Sequence, residues 1–306
     1  MTRRLLFHRD FRAYQGGHGK VRDYVRHAAA HPAWTPEVYL TPHSSRDDNP
    51  FLDAPLAADW QPVPPDALFL AGRDWRAWPE DRDDISVVNL IQHVRHAKVG
   101  EPLHAYLRRR AVRLCVSQPV ADAILATGDV RGPLIVIDAA LDLPVRAAPD
   151  APRAGIVIGA LKQPALGTEL AALLRTQGRD DVRLLDAPLP REAYLSALAA
   201  AEIAVLLPHA SEGFYLPALE AMALGCATVV PDCVGNRAYL QPEHNALVPD
   251  YTPAALAAAV ERMDDAGLRA RLRQAGIATA TRFDQQRERA AFHAVLDDLP
   301  ALWAAA

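Results

Sequence analysis

The sequence has little cysteine, no long apolar run and no excess of positive charge, and each shortage excludes a class of protein. Its three cysteines, an odd number without metal-ligand spacing, argue against a disulfide framework or a cysteine metal centre. No stretch approaches the roughly 18 consecutive apolar residues that a membrane-spanning helix needs. The apolar run LLF near the N-terminus is too short for a signal sequence. We therefore expect a cytoplasmic protein with reduced thiols.

The charge balance argues against a nucleic-acid partner. Residues 1–150 contain 19 Lys+Arg and 19 Asp+Glu, and residues 151–306 contain 14 and 18, so neither half is basic. Extended nucleic-acid binding requires a basic surface, so we expect none. One local basic run, RRRAVR at 108–113, has two interpretations. It is either a solvated helix face, which we favour, or a weak peripheral contact with acidic lipids at the inner face of the membrane.

The length of 306 residues and the 50% hydrophobic content predict two globular domains. Short apolar runs, typical of strands in parallel sheets, alternate with helical spacing throughout the chain. The predicted strands are 4–8, 38–40, 67–72, 86–93, 113–117, 155–160, 182–186, 203–208 and 227–232. This alternation predicts an α/β protein with two Rossmann-like, doubly wound domains facing across a cleft.

The predicted boundaries follow from composition. A Pro/Ala-rich segment at 145–153 is interpreted as the linker, which gives an N-terminal domain at 1–148 and a C-terminal domain at 149–285. A final helix, within residues 286–306, is expected to cross back to the N-terminal domain. The predicted helices include one starting at Val21, one over 103–112, a long Ala-rich helix from Pro253 and an amphipathic helix over 284–299.

The stretch SEGFYLPALEAMALGC, residues 211–226, carries two isolated glutamates. The preceding run IAVLLP predicts a buried strand, so Glu212 lies on a loop at the carboxyl edge of the sheet, where open α/β folds bind ligands. Pro217 predicts a helix start, Gly225 predicts a left-handed helix end, and Glu220 is placed in the first turn. Free N–H groups at such a helix start suit a phosphate, and the two carboxylates suit hydroxyl groups. The combination predicts a nucleotide-sugar site.

This stretch resembles the E-x7-E signature of retaining glycosyltransferases with the GT-B fold, of the family 4 kind. The resemblance covers most of the C-terminal half, with Tyr215 in place of a glycine and Ala227 in place of a proline. It implies that Glu212 binds donor-sugar hydroxyls and that Glu220 binds the ribose. The backbone amides of Phe214, Tyr215 and Leu216 would meet the diphosphate and sugar. The Tyr215 phenol would either narrow the sugar pocket or pack onto the neighbouring loop.

Members of this family usually clamp the diphosphate with an arginine and a lysine in G-R-L-x-x-x-K-G. Here the loop GALKQPALG, residues 159–167, has Ala160 and Leu166 at those two positions. Lys162 is the cation in this loop, and it is therefore the candidate ligand of the leaving diphosphate; the alternative is a surface lysine. The leaving group carries about two negative charges, so a cation is needed there.

Five further candidate residues lie in the N-terminal half. QGGHGK, residues 15–20, resembles the family's glycine-rich loop, in which Gly16 and Gly17 would let the backbone approach the reaction centre. His18 and Lys20 would meet phosphate or acceptor. His93, at the end of a predicted strand, matches a histidine that the family often places near the donor sugar. The additional candidates of lower rank are His209, Ser211, Asn236 and Arg237.

The resemblance implies a metal-independent, retaining hexosyltransferase that moves a sugar from a nucleoside diphosphate sugar to an acceptor hydroxyl, without a further cofactor. The acceptor would be a glycan, a lipid-linked glycan or a small molecule, as in bacterial envelope polysaccharide or glycoconjugate biosynthesis. Two alternatives remain open: a sugar-nucleotide epimerase with the GT-B fold, and a catalytically silent GT-B binding subunit. The missing basic pair favours the second alternative.

Overall fold

The structure, a computed structural model, describes residues 2–13, 16–60, 65–80, 82–143 and 153–306. Its strands are β1 (Arg3–Arg9), β2 (Trp34–Leu40), β3 (Ala67–Ala71), β4 (Ser86–Ile91), β5 (Val112–Cys115), β6 (Leu134–Val136), β7 (Ile156–Gly159), β8 (Val182–Leu185), β9 (Ile203–Leu206) and β10 (Ala227–Val229). Its α-helices are α1 (Gly16–Ala29), α2 (Pro102–Ala105), α3 (Gln118–Leu125), α4 (Pro164–Thr176), α5 (Arg191–Ala200), α6 (Leu216–Ala223), α7 (Pro253–Arg262), α8 (Ala266–Ala280), α9 (Gln285–Asp297) and α10 (Leu299–Ala304).

The chain forms two compact units. The first contains residues 1–139 together with 286–306, and the second contains residues 140–285. The predicted boundary at 148–149 lies outside the described residues, and so does the predicted linker, except for its last residue, Arg153. The roles assigned to the two domains stay predictions.

The first unit has a six-stranded parallel sheet in the order β2-β1-β3-β4-β5-β6. The chain winds outward in one direction from β1 and in the other from β3, so the topological switch point lies between these two strands. Helices α1 and α9 cover one face. There the rings of Phe7 and Phe69 stack with their centroids 4.6 Å apart, and Tyr24 contacts Phe292 edge-on with the ring centroids 4.8 Å apart. Trp75 is buried in the core on the other face.

The second unit has a four-stranded parallel sheet in the order β10-β9-β7-β8. Its switch point lies between β7 and β9, because β8 follows on one side and β10 on the other. One core contains Leu195 of α5 and Leu219 of α6, while the other contains Leu170 of α4 and Leu256 of α7. Helices therefore cover both faces, and the prediction of doubly wound α/β units is confirmed.

Several predicted helices differ from those in the structure. The helix expected from Val21 begins at Gly16, so residues 16–20 are helical and are not a glycine-rich loop. The helix predicted over 103–112 is wrong, because α2 has four residues, a short 3-10 helix follows and β5 begins at Val112. The long Ala-rich helix from Pro253 is broken into α7 and α8, and Asp265 caps the second of them. The last predicted helix is likewise divided, into α9 and α10.

The basic run at 108–113 is engaged inside the first unit. Arg113 is fully buried, and its guanidinium donates to the Asn89 side chain and to backbone carbonyls. Arg108 Nε donates to Asp129 Oδ1 at 3.0 Å. The guanidinium carbon of Arg109 lies 4.6 Å from the ring centroid of Trp75, and that of Arg110 lies 4.2 Å from the ring centroid of Trp303. The run is not a solvated helix face, so that interpretation is wrong. Arg108 keeps an exposed side chain, and a contact of the run with acidic lipids stays a prediction.

A buried ion cluster joins α1 to α9. Glu288, with a fully buried side chain, accepts from Lys20 Nζ at 3.0 and 3.2 Å and lies 2.9 Å from His27 Nε2. Asp23 is a second partner of Lys20, at 2.8 Å. Burial opposes the charge of Lys20, but the two carboxylates outweigh it and raise the pKa of the lysine. Lys20 is thus a structural cation, and its expected contact with phosphate or acceptor is wrong.

Within the described part of the chain, no helix combines the length and hydrophobicity that crossing a bilayer would require. All three cysteines are buried and unpaired, as expected of reduced thiols. Burial raises the pKa of Cys115 and of Cys226 to about 12, so these thiols stay protonated at neutral pH.

Candidate functional site

The carboxyl edge of the second sheet brings Lys162 and Glu212 together. Lys162 lies on the loop between β7 and α4, and Glu212 lies on the loop between β9 and α6. Strands β7 and β9 are neighbours at the switch point, so the two loops leave the sheet side by side. Lys162 Nζ is 3.4 Å from Glu212 Oε1, and their side chains are 53% and 18% exposed. The lysine is accessible to a ligand at this edge, and the carboxylate is largely buried.

The charge of Glu212 contributes to raising the pKa of neighbouring side chains, among them Cys233 and Tyr251. The pKa of the Cys233 thiol is raised to about 11, first by burial and then in part by the negative charge of Glu212. Burial, with a smaller contribution from Glu212, also raises the pKa of Tyr251, whose hydroxyl donates to the carbonyl of Asp232 at 3.0 Å. At neutral pH the Cys233 thiol is therefore protonated and Tyr251 is a neutral phenol.

The start of α6 has no side-chain cap. Tyr215 is the residue before the helix, and its side chain makes no capping hydrogen bond. Leu216 N–H donates to the carbonyl of Phe214 at 3.1 Å, so this predicted ligand amide is occupied within the loop. A Cβ placed on Gly235 would lie 2.4 Å from Phe214 N, which shows how closely Gly235 supports this turn. The Tyr215 N–H has no acceptor among the described residues.

The side chain of Tyr215 packs into the interior. It is 4% exposed and belongs to the core that contains Leu219 and Tyr239. The Tyr239 hydroxyl donates to the Tyr215 carbonyl at 2.6 Å and thereby fixes the backbone before α6. Of the two interpretations of the extra phenol, the structure favours packing over a narrowed sugar pocket.

Glu220 is the fifth residue of α6 and not part of its first turn, which contains no acid, so its predicted placement is wrong. The side chain is 4% exposed and its Oε1 lies 2.6 Å from Arg191 Nη2. Arg191 is the first residue of α5, and it also donates to the carbonyl of Asp142 at 3.2 Å. Arg191 was not predicted as a site residue, since its only signal in the sequence is an isolated arginine at a helix start, 29 residues before its partner.

Gly225, which follows α6, has a φ of 81°, so the predicted left-handed helix end is confirmed. The helix is therefore fixed at both ends by backbone features, Pro217 in its first turn and Gly225 after its last. Glu220 is held between these ends on a short, eight-residue element.

The first-unit candidates lie at the carboxyl edge of the first sheet. Gly16 and Gly17 are the first two residues of α1; a Cβ on Gly16 would meet nothing within 4 Å, and Gln92 Nε2 donates to the Gly17 carbonyl at 3.2 Å. His93 follows β4, and its Nδ1 accepts from Arg95 N at 3.0 Å. Their contacts with a ligand stay predictions.

The lower-ranked candidates have local partners. His209 Nδ1 lies 2.8 Å from Ser211 Oγ on the Glu212 loop. Asn236 is fully buried and bonds the backbone of Cys233 and Pro231, which makes it a structural residue. Arg237 is exposed and pairs with Asp232.

Each acid of the motif thus has its own cation, Lys162 for Glu212 and Arg191 for Glu220. Carboxylates accept hydroxyl hydrogen bonds, and the lysine with the uncapped helix start attracts an anion. The arrangement is able to hold a ligand that carries both hydroxyl groups and a phosphate.

Comparison with known families agrees with this chemistry. Residues 123–265 match the family model "Glycosyl transferases group 1". D-inositol 3-phosphate glycosyltransferase from Acidothermus cellulolyticus is 35% identical over 115 residues, which are 37% of this chain and 25% of that protein. The matched part therefore spans about a quarter of the length of this curated relative.

Solved structures match the whole chain. Anabaena Alr3699/HepE in complex with UDP and glucose has a TM-score of 0.70 at 14% identity, covering 97% of this chain and 100% of that one. The putative UDP-N-acetylglucosamine 2-epimerase from Listeria monocytogenes has a TM-score of 0.64 at 11% identity, covering 97% and 96%. At these identities the likeness concerns the fold, which is GT-B.

Proposed function

We propose that this protein is a retaining glycosyltransferase that moves a sugar from a nucleoside diphosphate sugar to an acceptor hydroxyl. The observation that carries the proposal is the meeting of Lys162 and Glu212, 3.4 Å apart at the switch point of the second unit. The uncapped start of α6 and the buried Glu220 adjoin the same loop. The match of residues 123–265 to a glycosyltransferase family supports the activity.

In the proposed reaction, the bond between the anomeric carbon and the diphosphate oxygen breaks, and its electron pair leaves with the diphosphate. The acceptor oxygen bonds to the same face of the anomeric carbon, and its proton passes to an oxygen of the departing phosphate. Lys162 and the Tyr215 amide stabilise the diphosphate as it leaves, while Glu212 holds the sugar hydroxyls. Glu220 accepts hydrogen bonds from the ribose hydroxyl groups, which replace part of its ion pair with Arg191. This assignment requires no metal ion and no protein nucleophile.

The first experiment combines donor binding with product analysis. Uridine diphosphate and its sugars come first, because HepE was solved with UDP and glucose. Calorimetry should detect binding of the nucleoside diphosphate. Incubation of the nucleoside diphosphate sugar with a panel of acceptors should release the nucleoside diphosphate and form a glycoside. NMR should show that this glycoside has the same anomeric configuration as the donor. A changed sugar after incubation with donor alone would indicate an epimerase. Nucleotide binding without release or epimerisation under any condition would indicate a silent subunit.

Glu220→Ala should weaken nucleoside diphosphate binding by about 1–3 kcal/mol, since the ribose hydroxyls lose a buried acceptor. The fold should lose about 1 kcal/mol or less, because the partly exposed Arg191 can turn to water. Calorimetry and thermal unfolding measure the two effects. Glu192→Ala, which removes an exposed acid next to Arg191, is the matched control. Parental nucleotide affinity in Glu220→Ala would remove Glu220 from the site.

Lys162→Ala should lower turnover more than it raises KM for the donor, because its charge acts mainly as the diphosphate departs. Lys162→Arg, which keeps the charge, should retain more turnover than the alanine variant. Steady-state kinetics with a fixed acceptor compare the three proteins. Equal turnover in Lys162→Ala and the parent would transfer this role to Arg237, which the structure pairs with an exposed aspartate on the same unit.

A further inference from the structure

A second cluster of charged and titratable groups occupies the switch point of the first unit. Arg9 is the last residue of β1, and Asp74 lies in the 3-10 helix that follows β3. Arg9 Nη1 donates to Asp74 Oδ2 at 2.6 Å, and both residues are over nine-tenths buried. The same carboxylate accepts from Ala71 N at 2.9 Å, which fixes it to the end of β3. Ligands of open α/β sheets bind where this cluster lies.

The guanidinium of Arg9 also fixes the proton of His18. Arg9 Nη2 lies 2.9 Å from His18 Nδ1, in the first turn of α1. A guanidinium has only N–H donors, so Nδ1 must be the acceptor and the ring proton must be on Nε2. Burial, followed by the charge of Arg9, lowers the pKa of His18 to about 4, against smaller opposing effects of Asp74 and Asp10. At neutral pH the ring is therefore neutral, with its proton on Nε2.

This tautomer restricts what His18 can do. Nε2 already carries a proton and the lone pair of Nδ1 is occupied by Arg9, so the ring cannot act as a general base. It can donate one hydrogen bond from Nε2, which has no protein acceptor among the described residues. A neutral, fixed donor of this kind binds an oxygen without adding charge.

The charges that act on His18 come from Arg9, Asp74 and Asp10, and each of these groups has an oppositely charged partner. Asp74 also lies 3.5 Å from His8 Nδ1. Arg9 is matched by Asp74, and Arg12 is matched by Asp10 at 2.9 Å. With a neutral imidazole at His18, these two ion pairs carry no net charge. Such a cluster gives a phosphate little electrostatic attraction, whereas it suits the hydroxyl oxygen of an uncharged ligand.

We infer that His18 Nε2–H donates to a hydroxyl oxygen of an uncharged polyol acceptor at the carboxyl edge of the first sheet. Arg9 is the positioning residue that fixes the tautomer. This inference rests on the proposed glycosyltransferase function and adds to it the chemical class of the acceptor. It also excludes His18 as the base that removes the acceptor proton.

The inference is tested in the intact chain with the variant His18→Phe, which keeps a flat ring but removes the hydrogen-bond donor. His244→Phe, at an exposed histidine, is the control. His18→Phe should raise the acceptor KM about 5- to 10-fold, the loss of one hydrogen bond, and leave nucleoside diphosphate affinity unchanged. The acceptor panel contains free sugars, sugar alcohols and their monophosphates. A parental acceptor KM in His18→Phe overturns the inference, as does transfer to the monophosphates alone. If no donor is bound or turned over by the parent, the proposed function itself fails.

The tautomer can be read in the parent protein, whatever the variant does to folding. ¹⁵N NMR of labelled histidine should show Nδ1 of His18 unprotonated and Nε2 protonated from pH 6 to pH 8, with the signal assigned by its loss in His18→Phe. A protonated Nδ1 in this range overturns the inference.

Discussion

Glu212→Gln should reduce sugar transfer on the order of 100-fold, the cost of losing one electrostatic contact in a preorganised site. The substitution keeps the size of the side chain but removes its charge and half of its acceptor capacity. Because the carboxylate is only 18% exposed, its hydrogen bonds to sugar hydroxyls form in a partly dry environment.

Binding of the bare nucleoside diphosphate should barely change in this variant, because that ligand lacks the sugar. Donor release assays and calorimetry measure the two quantities on the same preparation. Glu243→Gln, at an exposed ion pair with Arg262 in the same unit, is the matched control and should transfer normally. A Glu212→Gln protein that transfers sugar at the parental rate would refute our assignment of this loop.

Glu288→Ala should destabilise the first unit by about 3 kcal/mol or more, the usual cost of breaking a buried ion pair. The substitution removes the main partner of buried Lys20, and Asp23 then remains as its carboxylate partner. His27 loses its contact at 2.9 Å as well. Urea unfolding monitored by the tryptophans of the first unit measures the loss.

The double variant Lys20→Met/Glu288→Leu separates stranded charge from lost packing. It removes both charges and fills their space, so it should recover most of the lost stability. Glu261→Ala, at an exposed position in the second unit, is the control. If the double variant is as unstable as Glu288→Ala, packing and not charge is the cause.

The same cluster predicts how stability depends on pH. Burial alone would raise the pKa of Glu288, but Lys20 and His27 outweigh burial and lower it below 4.5. A group with a lowered pKa stabilises the fold above its unfolded value and loses that contribution as pH falls through the folded value. The parent should therefore lose stability below about pH 4.5 more steeply than the double variant, which lacks the carboxylate.

Nine of the ten strands could be predicted from the sequence, and most of these are apolar runs buried on both faces. The strand β6 was missed, because it is only three residues long and is half-buried along its length. Runs such as IAVLLP and GIVIGA are continuous apolar segments, and the structure places β9 and β7 there. The Glu212 loop lies at the carboxyl edge of the sheet, as the order of strands and helices in the sequence predicts. These features depend on local composition and on topology, both of which the sequence displays.

The errors concern residues whose partners are distant in the chain. Lys20 resembles a ligand-binding lysine in sequence, but its carboxylate partner Glu288 is 268 residues away. The arginines at 108–113 have the spacing of an α-helix, yet none of them lies in one, and carbonyls of other segments hold Arg109 and Arg110. Arg191 has no sequence signal at all until Glu220 is placed beside it. Tertiary contacts of this kind override local propensity.

The discontinuous first unit has a consequence for the order in which the newly made chain folds. Residues 140–285 are complete in themselves, so the second unit can fold on the ribosome as soon as they have emerged. The first unit must wait for residues 286–306, since Lys20 stays without Glu288 until that segment has been synthesised. The usual order, in which the N-terminal domain folds first, is therefore reversed here. A protein truncated after residue 285 and released should expose an unfinished N-terminal sheet to chaperones, while its second unit is folded.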